Sequence, residues 1–343
     1  MNQVTITFKP KNVTKGLLSA LAERARDIMR KRYGLDQNEG MTLEAIGQIY
    51  GITRERVRQI EDFSLKVIRK SPAFAETQDI FAELKHALHE YGGVAHERDF
   101  LAHLDKNEVV QNHIHFLLVL GTEFTKRKED DEFHHRWTTD DDHAEKIEQT
   151  IRKVASKLSE EDLLPEEEMV KMLVKHLDSG VAGNGVEEKA RRWLAISKLL
   201  GTNPVGEWGL TTSPNVRVRG IRDYAFLVLR EQGSPMHFTE VAKSIHNSFS
   251  RRANPATCHN ELIKDKRFVL VGRGMYALSD WGYTRGVVRE VIETILKEHG
   301  PLTEEDVLGR VLKERYVKPN TVLVNLRNPN YFKREKDGRY LVE

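Results

Sequence analysis

Hydrophobic positions in the first seventy residues recur at helical spacing rather than in strict alternation. They predict helices over residues 17–33, 43–50 and 54–70. Gly51 and Ile52 make the turn between the last two, and Thr53 is the expected N-cap of the final helix. Gly47 removes side-chain bulk where these two helices would cross, and Gly51 suits a left-handed turn. Ile46, Tyr50, Ile52, Val57 and Ile60 form the small apolar set expected to hold the pair together. Residues 4–8 read as a short strand or a flexible lead. Ser71-Pro72 ends the unit, because proline disfavours helical geometry in the residue before it. The pattern is that of a helix-turn-helix.

Beyond residue 71 the hydrophobic pattern repeats weakly. An L-x-E-x-G helix ending occurs at residues 88–92, 229–233 and 296–300. Each follows an amphipathic helix and precedes two more helices and a strand pair. The pairs fall at residues 124–137, 268–279 and 331–343, and the last two have glycine at the tip and Tyr276 or Tyr340 on the return strand. Helix, helix, helix, hairpin is the order of a winged helix. The last two of the three glycines lie 67 residues apart and the first two 141 apart, so a degenerate copy is expected over residues 144–214. Its helices would be 144–158, 165–177 and 185–199, and its wing 201–212 with Trp208 packed beneath. The expected fold is mainly α. An N-terminal three- or four-helix domain (1–71) is followed by four tandem winged helices at 72–143, 144–214, 215–284 and 285–343.

On the second helix of the helix-turn-helix, Arg54 and Arg58 lie one turn apart, and Glu55 and Gln59 share the neighbouring stripe. This face points away from Val57 and Ile60. Arginine can bind guanine bidentately, glutamine can read adenine, and glutamate can accept from the cytosine amino group. An acid on a DNA-facing surface weakens the purely electrostatic attraction. Glu55 therefore makes more sense as a base reader than as part of a generic basic patch.

The stretch TLEAIGQIYGITRERVRQIE (42–61) resembles region 4.2 of the sigma-70 family, which reads the promoter −35 element. Upstream, LSALAERARDIMRKRYGL (18–35) resembles region 4.1, which in that family helps bind the polymerase β flap. The resemblance covers about a fifth of the chain. It implies base contacts from Arg54, Glu55 and Gln59, with Arg58 beside them. Thr53, Arg56 and Lys66 are expected on the DNA backbone. In the third repeat, FTEVA (238–242) and GRGMYAL (272–278) resemble the HARE-type winged helix, found in the polymerase delta subunit of some bacteria and in other DNA-linked proteins.

Charge sharpens this picture. The net charge of +2 conceals a basic–acidic–basic order, with +6 over residues 1–71, −11 over 72–210 and +7 over 211–343. The two ends suit a polyanion and the middle would be repelled by phosphate. Its acidic runs, 129–132, 140–142 and 166–168, read as solvated surface and helix N-terminal acids, or as a docking face for a basic partner or an autoinhibitor of the N-terminal DNA reader. Deleting residues 72–210 is expected to leave DNA affinity little changed or raised. Arg251 and Arg252 before the third helix of repeat three, and Lys333, Arg334 and Arg339 on the last wing, are further candidates for backbone contact.

No catalytic constellation emerges. One cysteine, Cys258, excludes an internal disulfide and a cysteine-based zinc site. Its neighbour His259 is poorly placed for a nucleophile–base pair. His113, His115, His134, His135 and His143 lack metal-ligand spacing and read as polar surface. No segment approaches the ~20 apolar residues of a membrane span, and the N-terminus lacks a signal-peptide pattern. The sequence therefore points to a cytoplasmic, non-enzymatic transcription factor without metal or cofactor. Its expected partners are double-stranded DNA and, through the β flap, the RNA polymerase core. It would be accessory to initiation, because a melting region is not recognisable upstream. The alternatives are a polymerase-bound adaptor and the DNA-recognition subunit of a nuclease or modification system.

Overall fold

Caps and glycines punctuate the first seventy residues. The computed structural model describes residues 6–343 except 179, 182, 184, 284 and 285. The expected helix over 17–33 is two helices, α1 (Pro10–Leu18) and α2 (Glu23–Tyr33). The break has a local cause. Ser19 Oγ donates to the Gly16 carbonyl at 2.6 Å, and Ala22 is extended. Arg26 donates to the carbonyls of Leu18 and Leu21, at 3.2 and 2.9 Å, so the end of α1 is capped from α2. Residues 4 and 5 of the expected strand lie outside the described residues, and 6–8 form no strand. Gly34 (φ 63°) closes α2. Next come α3 (Leu43–Tyr50), α4 (Arg54–Arg69) and the short α5 (Pro72–Ala75).

The chain separates into two compact units, Met1–Gly201 with Trp208–Thr212, and Thr202–Glu207 with Ser213–Glu343. In the first unit the next elements are α6 (Gln78–Tyr91), β1 (Val94–His96), α7 (Glu97–Leu104), α8 (Glu108–Leu120), β2 (Thr125–Arg127) and β3 (Arg136–Thr138). The strands form an antiparallel sheet in the order β1-β3-β2, with Trp137 opposite both Ala95 and Lys126. This is the winged-helix order.

Its third helix is not on the surface. α8 buries Ile114, Phe116, Leu117, Leu118 and Leu120 in one core with Leu17, Leu18, Met29 and Ile68 of the preceding helices. Asn112 Nδ2 lies within 3.1 Å of the carbonyls of Gly34, Gln37 and Asn38. Arg69 donates to the Leu120 and Val119 carbonyls at 3.0 and 2.8 Å, capping the C-terminus of α8. The change at residues 71 and 72 is one of element, while the core runs through it.

A second winged-helix-like set comprises α9 (Asp141–Ala155), α10 (Glu166–Lys175), α11 (Val186–Leu194), β4 (Leu200–Thr202) and β5 (Trp208–Leu210). Its first strand is reduced to a single bridge, Leu164 to Trp208. Trp193 Nε1 donates to the Gly92 carbonyl at 2.9 Å, directly beneath the backbone of the first L-x-E-x-G ending. A Cβ on Gly92 would lie 2.9 Å from that indole, so the glycine is required by contact as well as by its φ of 139°.

The wing of the first set is clamped by the second. His134 N–H donates to the Ile196 carbonyl at 2.9 Å and Lys198 N–H to the Glu132 carbonyl at 2.7 Å. Arg136 and Glu148, 3% and 1% exposed, form a buried ion pair at 2.5 Å. Residues 129–132 are therefore not simply solvated surface. Glu129 pairs with Lys198, Asp130 with Arg136, and Glu132 with Arg152. The other two runs are as expected from sequence. Asp140 caps α9 by accepting from His143 N–H at 3.0 Å, and residues 166–168 fill the first turn of α10.

The second unit holds two more sets. The first has α12 (Ile221–Gln232), β6 (Met236–His237), α13 (Phe238–Phe249), α14 (Pro255–Lys264), β7 (Phe268–Gly272) and β8 (Met275–Leu278), with sheet order β6-β8-β7. The second has α15 (Val288–His299), α16 (Glu304–Glu314), α17 (Pro319–Leu326), β9 (Phe332–Arg334) and β10 (Tyr340–Val342). Its first strand is again one bridge, Leu302 to Tyr340. Gly233 and Gly300 end their helices at φ 66° and 76°, so the recurrent glycine is a helix C-cap each time.

In the first sheet, Glu97 accepts from Trp137 Nε1 at 2.8 Å and pairs with Lys126 at 2.5 Å and His115 at 3.5 Å. Burial opposes its ionisation, but the bonds from His115 and Lys126 outweigh that and hold its carboxyl down at about 2. A depressed folded-state pKa stabilises above the unfolded value of about 4.3 and ceases to do so as pH falls through the folded one. Stability to urea is expected to drop between about pH 4.5 and pH 2. Glu97→Gln should lower stability at pH 7 by about 1–3 kcal/mol and flatten this acid limb. An unchanged acid limb would show that Glu97 does not carry it.

Candidate nucleic-acid interface

The helix-turn-helix is built as its residues dictate. Thr42 caps α3 by accepting from Ala45 N–H at 3.1 Å, and Thr53 caps α4 by accepting from Arg56 N–H at 3.2 Å. Gly51 takes the left-handed conformation between them, at φ 65°. A Cβ on Gly47 would meet the Ile52 carbonyl oxygen at 2.6 Å, which is why only glycine fits the crossing. Ile46 and Val57 are fully buried, with Tyr50, Ile52 and Ile60 packed against them. Ile28 of α2 completes this core. The pattern within residues 42–70 alone could not reveal it.

The outward face of α4 carries Arg54, Glu55, Arg58 and Gln59 together, all exposed. Thr53, Arg56 and Lys66 are exposed on the same module. Arg58 is held on both sides. Its Nε and Nη2 donate to Glu55 at 3.0 and 2.7 Å, and its Nη1 donates to Asp62 at 2.7 Å. Arg56 Nη1 donates to Gln59 Oε1 at 3.1 Å. The Arg58 guanidinium holds the Glu55 carboxyl below its usual range, and Glu55 in turn raises the pKa of Arg58. Asp62 is a member of this face that the sequence reading omits, although its i+4 spacing from Arg58 signals it. Exposed intrahelical pairs are weak and screened by solvent, while a bidentate base contact discriminates by about 1–3 kcal/mol. The pairs therefore orient Arg58 without withholding it from a base.

The remaining candidates lie in the second unit. Arg251 and Arg252 are exposed just before α14, and Arg251 stacks over Tyr224 at 5.1 Å. Asn254 caps α14 by accepting from Ala256 N–H at 2.9 Å. Lys333, Arg334 and Arg339 are exposed on the last hairpin, with Arg339 3.6 Å from Asp337. Cys258 is buried, which pushes its thiol up to about 11. His134 lies tilted against His96, with ring centroids 5.2 Å apart, and His135 Nδ1 accepts from Glu129 N–H. His113 is buried rather than on a polar surface. No helix among the described residues is long and apolar enough to cross a membrane.

Residues 17–70 match the family described as Sigma-70, region 4. Over 55 residues the chain is 53% identical to the RNA polymerase sigma factor SigA1 of Synechococcus elongatus, covering 16% of this chain and 14% of that protein. It is 42% identical over 59 residues to SigA of a Bacillus species, covering 17% and 16%. Against SigA of Listeria monocytogenes it is 36% identical over 69 residues, covering 20% and 18%. The chain thus spans about a seventh of the length of the first of these curated relatives. Residues 17–70 form a sigma-70 region 4 domain, and a module of that family recognises the −35 element and contacts RNA polymerase.

Because the Gly47 contact sets the angle between α3 and α4, Gly47→Ala is expected to cost about 1–3 kcal/mol through overpacking. Thr53→Ala is expected to cost about 1 kcal/mol through loss of the cap. Urea unfolding monitored by circular dichroism reads both. A Gly47→Ala protein as stable as the wild type would show that the turn can move aside.

Proposed function

We propose that this chain is a cytoplasmic, non-enzymatic transcription factor that reads a −35-type promoter element through α4. The reading rests on one observation. The segment most similar to sigma factors folds into a helix-turn-helix whose outward face exposes Arg54, Glu55, Arg58 and Gln59 side by side. These four residues contact base edges, while Thr53, Arg56 and Lys66 hold phosphate. The chain acts beside a complete sigma factor rather than in place of one. Support for this comes from the run of winged-helix-like modules C-terminal to region 4, at 72–143, 144–214, 215–284 and 285–343.

RNA polymerase core is the second partner. α8 lies along α1 and α2, so a contact with the β flap is confined to the faces of those helices that α8 leaves open. The first winged-helix-like module does not read DNA with its third helix, because that helix is buried in the shared core. Arg251, Arg252, Lys333, Arg334 and Arg339 give the last two modules exposed cations for phosphate. A second reading, a polymerase-bound adaptor whose DNA contact is incidental, draws on Phe63 and Ile49, 68% and 54% exposed on α4 and α3.

Fluorescence anisotropy with a TTGACA-containing duplex and a scrambled duplex tests the proposal. The wild type should prefer the first. Arg54→Ala/Gln59→Ala should erase about 1–3 kcal/mol of that preference for each base-reading side chain removed. Lys66→Ala should weaken both duplexes equally and reduce the salt dependence by about one phosphate. Equal affinity for the two duplexes in wild type and variant would sink base reading. Polymerase capture that survives high salt without DNA binding would establish the adaptor.

A further inference from the structure

A cavity of about 590 Å³ opens between α1, α2 and α8, and none of its lining residues belongs to α3 or α4. It is separate from the DNA-reading face. Its walls are basic. Lys11 and Lys15 stand one turn apart on α1, and Arg26 and Arg30 one turn apart on α2. Asp36 is the acid in the lining, and it is already bound by Arg30 at 2.7 Å. Arg26 is occupied with backbone carbonyls. Lys11 and Lys15 are exposed, and no ion pair engages them among the described residues.

Leu18, Leu35 and Val109 contribute apolar surface to the lining. Two polar groups there have no hydrogen-bond partner among the described residues. They are Thr14 Oγ1, in a fully buried side chain, and His113 Nδ1, in a side chain 7% exposed. Burial pushes the His113 imidazole below its usual range, the Leu35 backbone opposes this while Nδ1 itself stays unbonded, and the charge of Lys11 adds to the lowering. A buried polar group without a partner costs about 1–3 kcal/mol, and native structures rarely leave such groups in one lining without a reason. A ligand that brings acceptors and donors to the cavity supplies one.

We propose that this cavity binds a phosphorylated small molecule of nucleotide size, its phosphates on Lys11 and Lys15 and its ring over Leu18, Leu35 and Val109. Four cations against one acid favour a multiply charged anion over a single carboxylate. The volume falls within the range of small-molecule sites, about 300–1,000 Å³. The apolar floor favours a ligand with a ring over a bare phosphate.

Calorimetric titration of the full chain with ATP, GTP and pyrophosphate tests this. Saturable 1:1 binding of a nucleotide, tighter than that of pyrophosphate, is expected. Lys11→Ala/Lys15→Ala should weaken it at least tenfold. Val109→Trp, which fills the cavity from a half-exposed position, should abolish it while melting like the wild type. Arg54→Ala/Gln59→Ala should bind the nucleotide as the wild type does, whatever happens to its DNA preference. No saturable heat at millimolar nucleotide overturns the proposal, as does binding that survives both cavity variants. If Lys11→Ala/Lys15→Ala weakens duplex DNA binding and no nucleotide binds, the groove is a track for the DNA backbone and the proposal fails.

Discussion

Burial of α8 is the constraint on which the first unit depends. The helix-turn-helix proper has a small core, in which Ile28, Ile46 and Val57 are the fully buried members. A core of that size gives marginal stability to a domain of about seventy residues. α8 makes up the difference. Its apolar residues lie in one cluster with α1, α2 and the end of α4. Tyr33 packs edge-on against Phe116, with ring centroids 4.9 Å apart. Asn112 then fixes the loop between α2 and α3 through backbone carbonyls. The third helix of this winged helix is thus an internal support that holds the DNA-reading module in place.

The wing of the same module is consumed in a similar way. Arg136 and Glu148 are buried and paired, and the hairpin tip bonds to residues 196 and 198. A buried ion pair seldom adds net stability, because desolvation offsets the attraction. Breaking it by removing one partner is costly, so it penalises any other arrangement of the two modules. The first winged-helix-like set is therefore a keystone, with its helix turned toward region 4 and its wing turned toward the next set.

Much of this is legible in the sequence, and the losses have physical causes. Thr53, Gly47 and Gly51 can be read because a cap, a crossing and a left-handed turn each admit few residue types. The L-x-E-x-G repeat can be read because its glycine is a C-cap wherever it occurs. The split between α1 and α2 is hidden, since the apolar spacing continues through 17–33 and the break is made by Arg26 reaching back to carbonyls. The shared core is hidden as well. Periodicity shows that a face is buried but not against which partner. The acidic run at 129–132 reads as solvated because its cations come from residues 136, 152 and 198. The cavity residues Lys11 and Lys15 carry no signal, since two lysines on an amphipathic helix are ordinary until a wall faces them.

These contacts alter what the charge order means. The surplus of acid over residues 72–210 is already net of Arg127, Arg136 and Arg152, whose ion pairs fix where individual acids sit inside the first unit. These pairs redistribute the charge locally and leave the net repulsion of phosphate that of the sequence total. If residues 72–210 were a spacer, deleting them would leave DNA affinity little changed or raised. The shared core overturns that expectation. The deletion would remove α8 and expose Leu17, Leu18, Met29 and Ile68 to water, so a loss of binding would report unfolding rather than the absence of a DNA contact. Reversing exposed acids on α10, such as Glu167 and Glu168, leaves the core intact. It therefore separates the electrostatic contribution of the middle modules from the mechanical one.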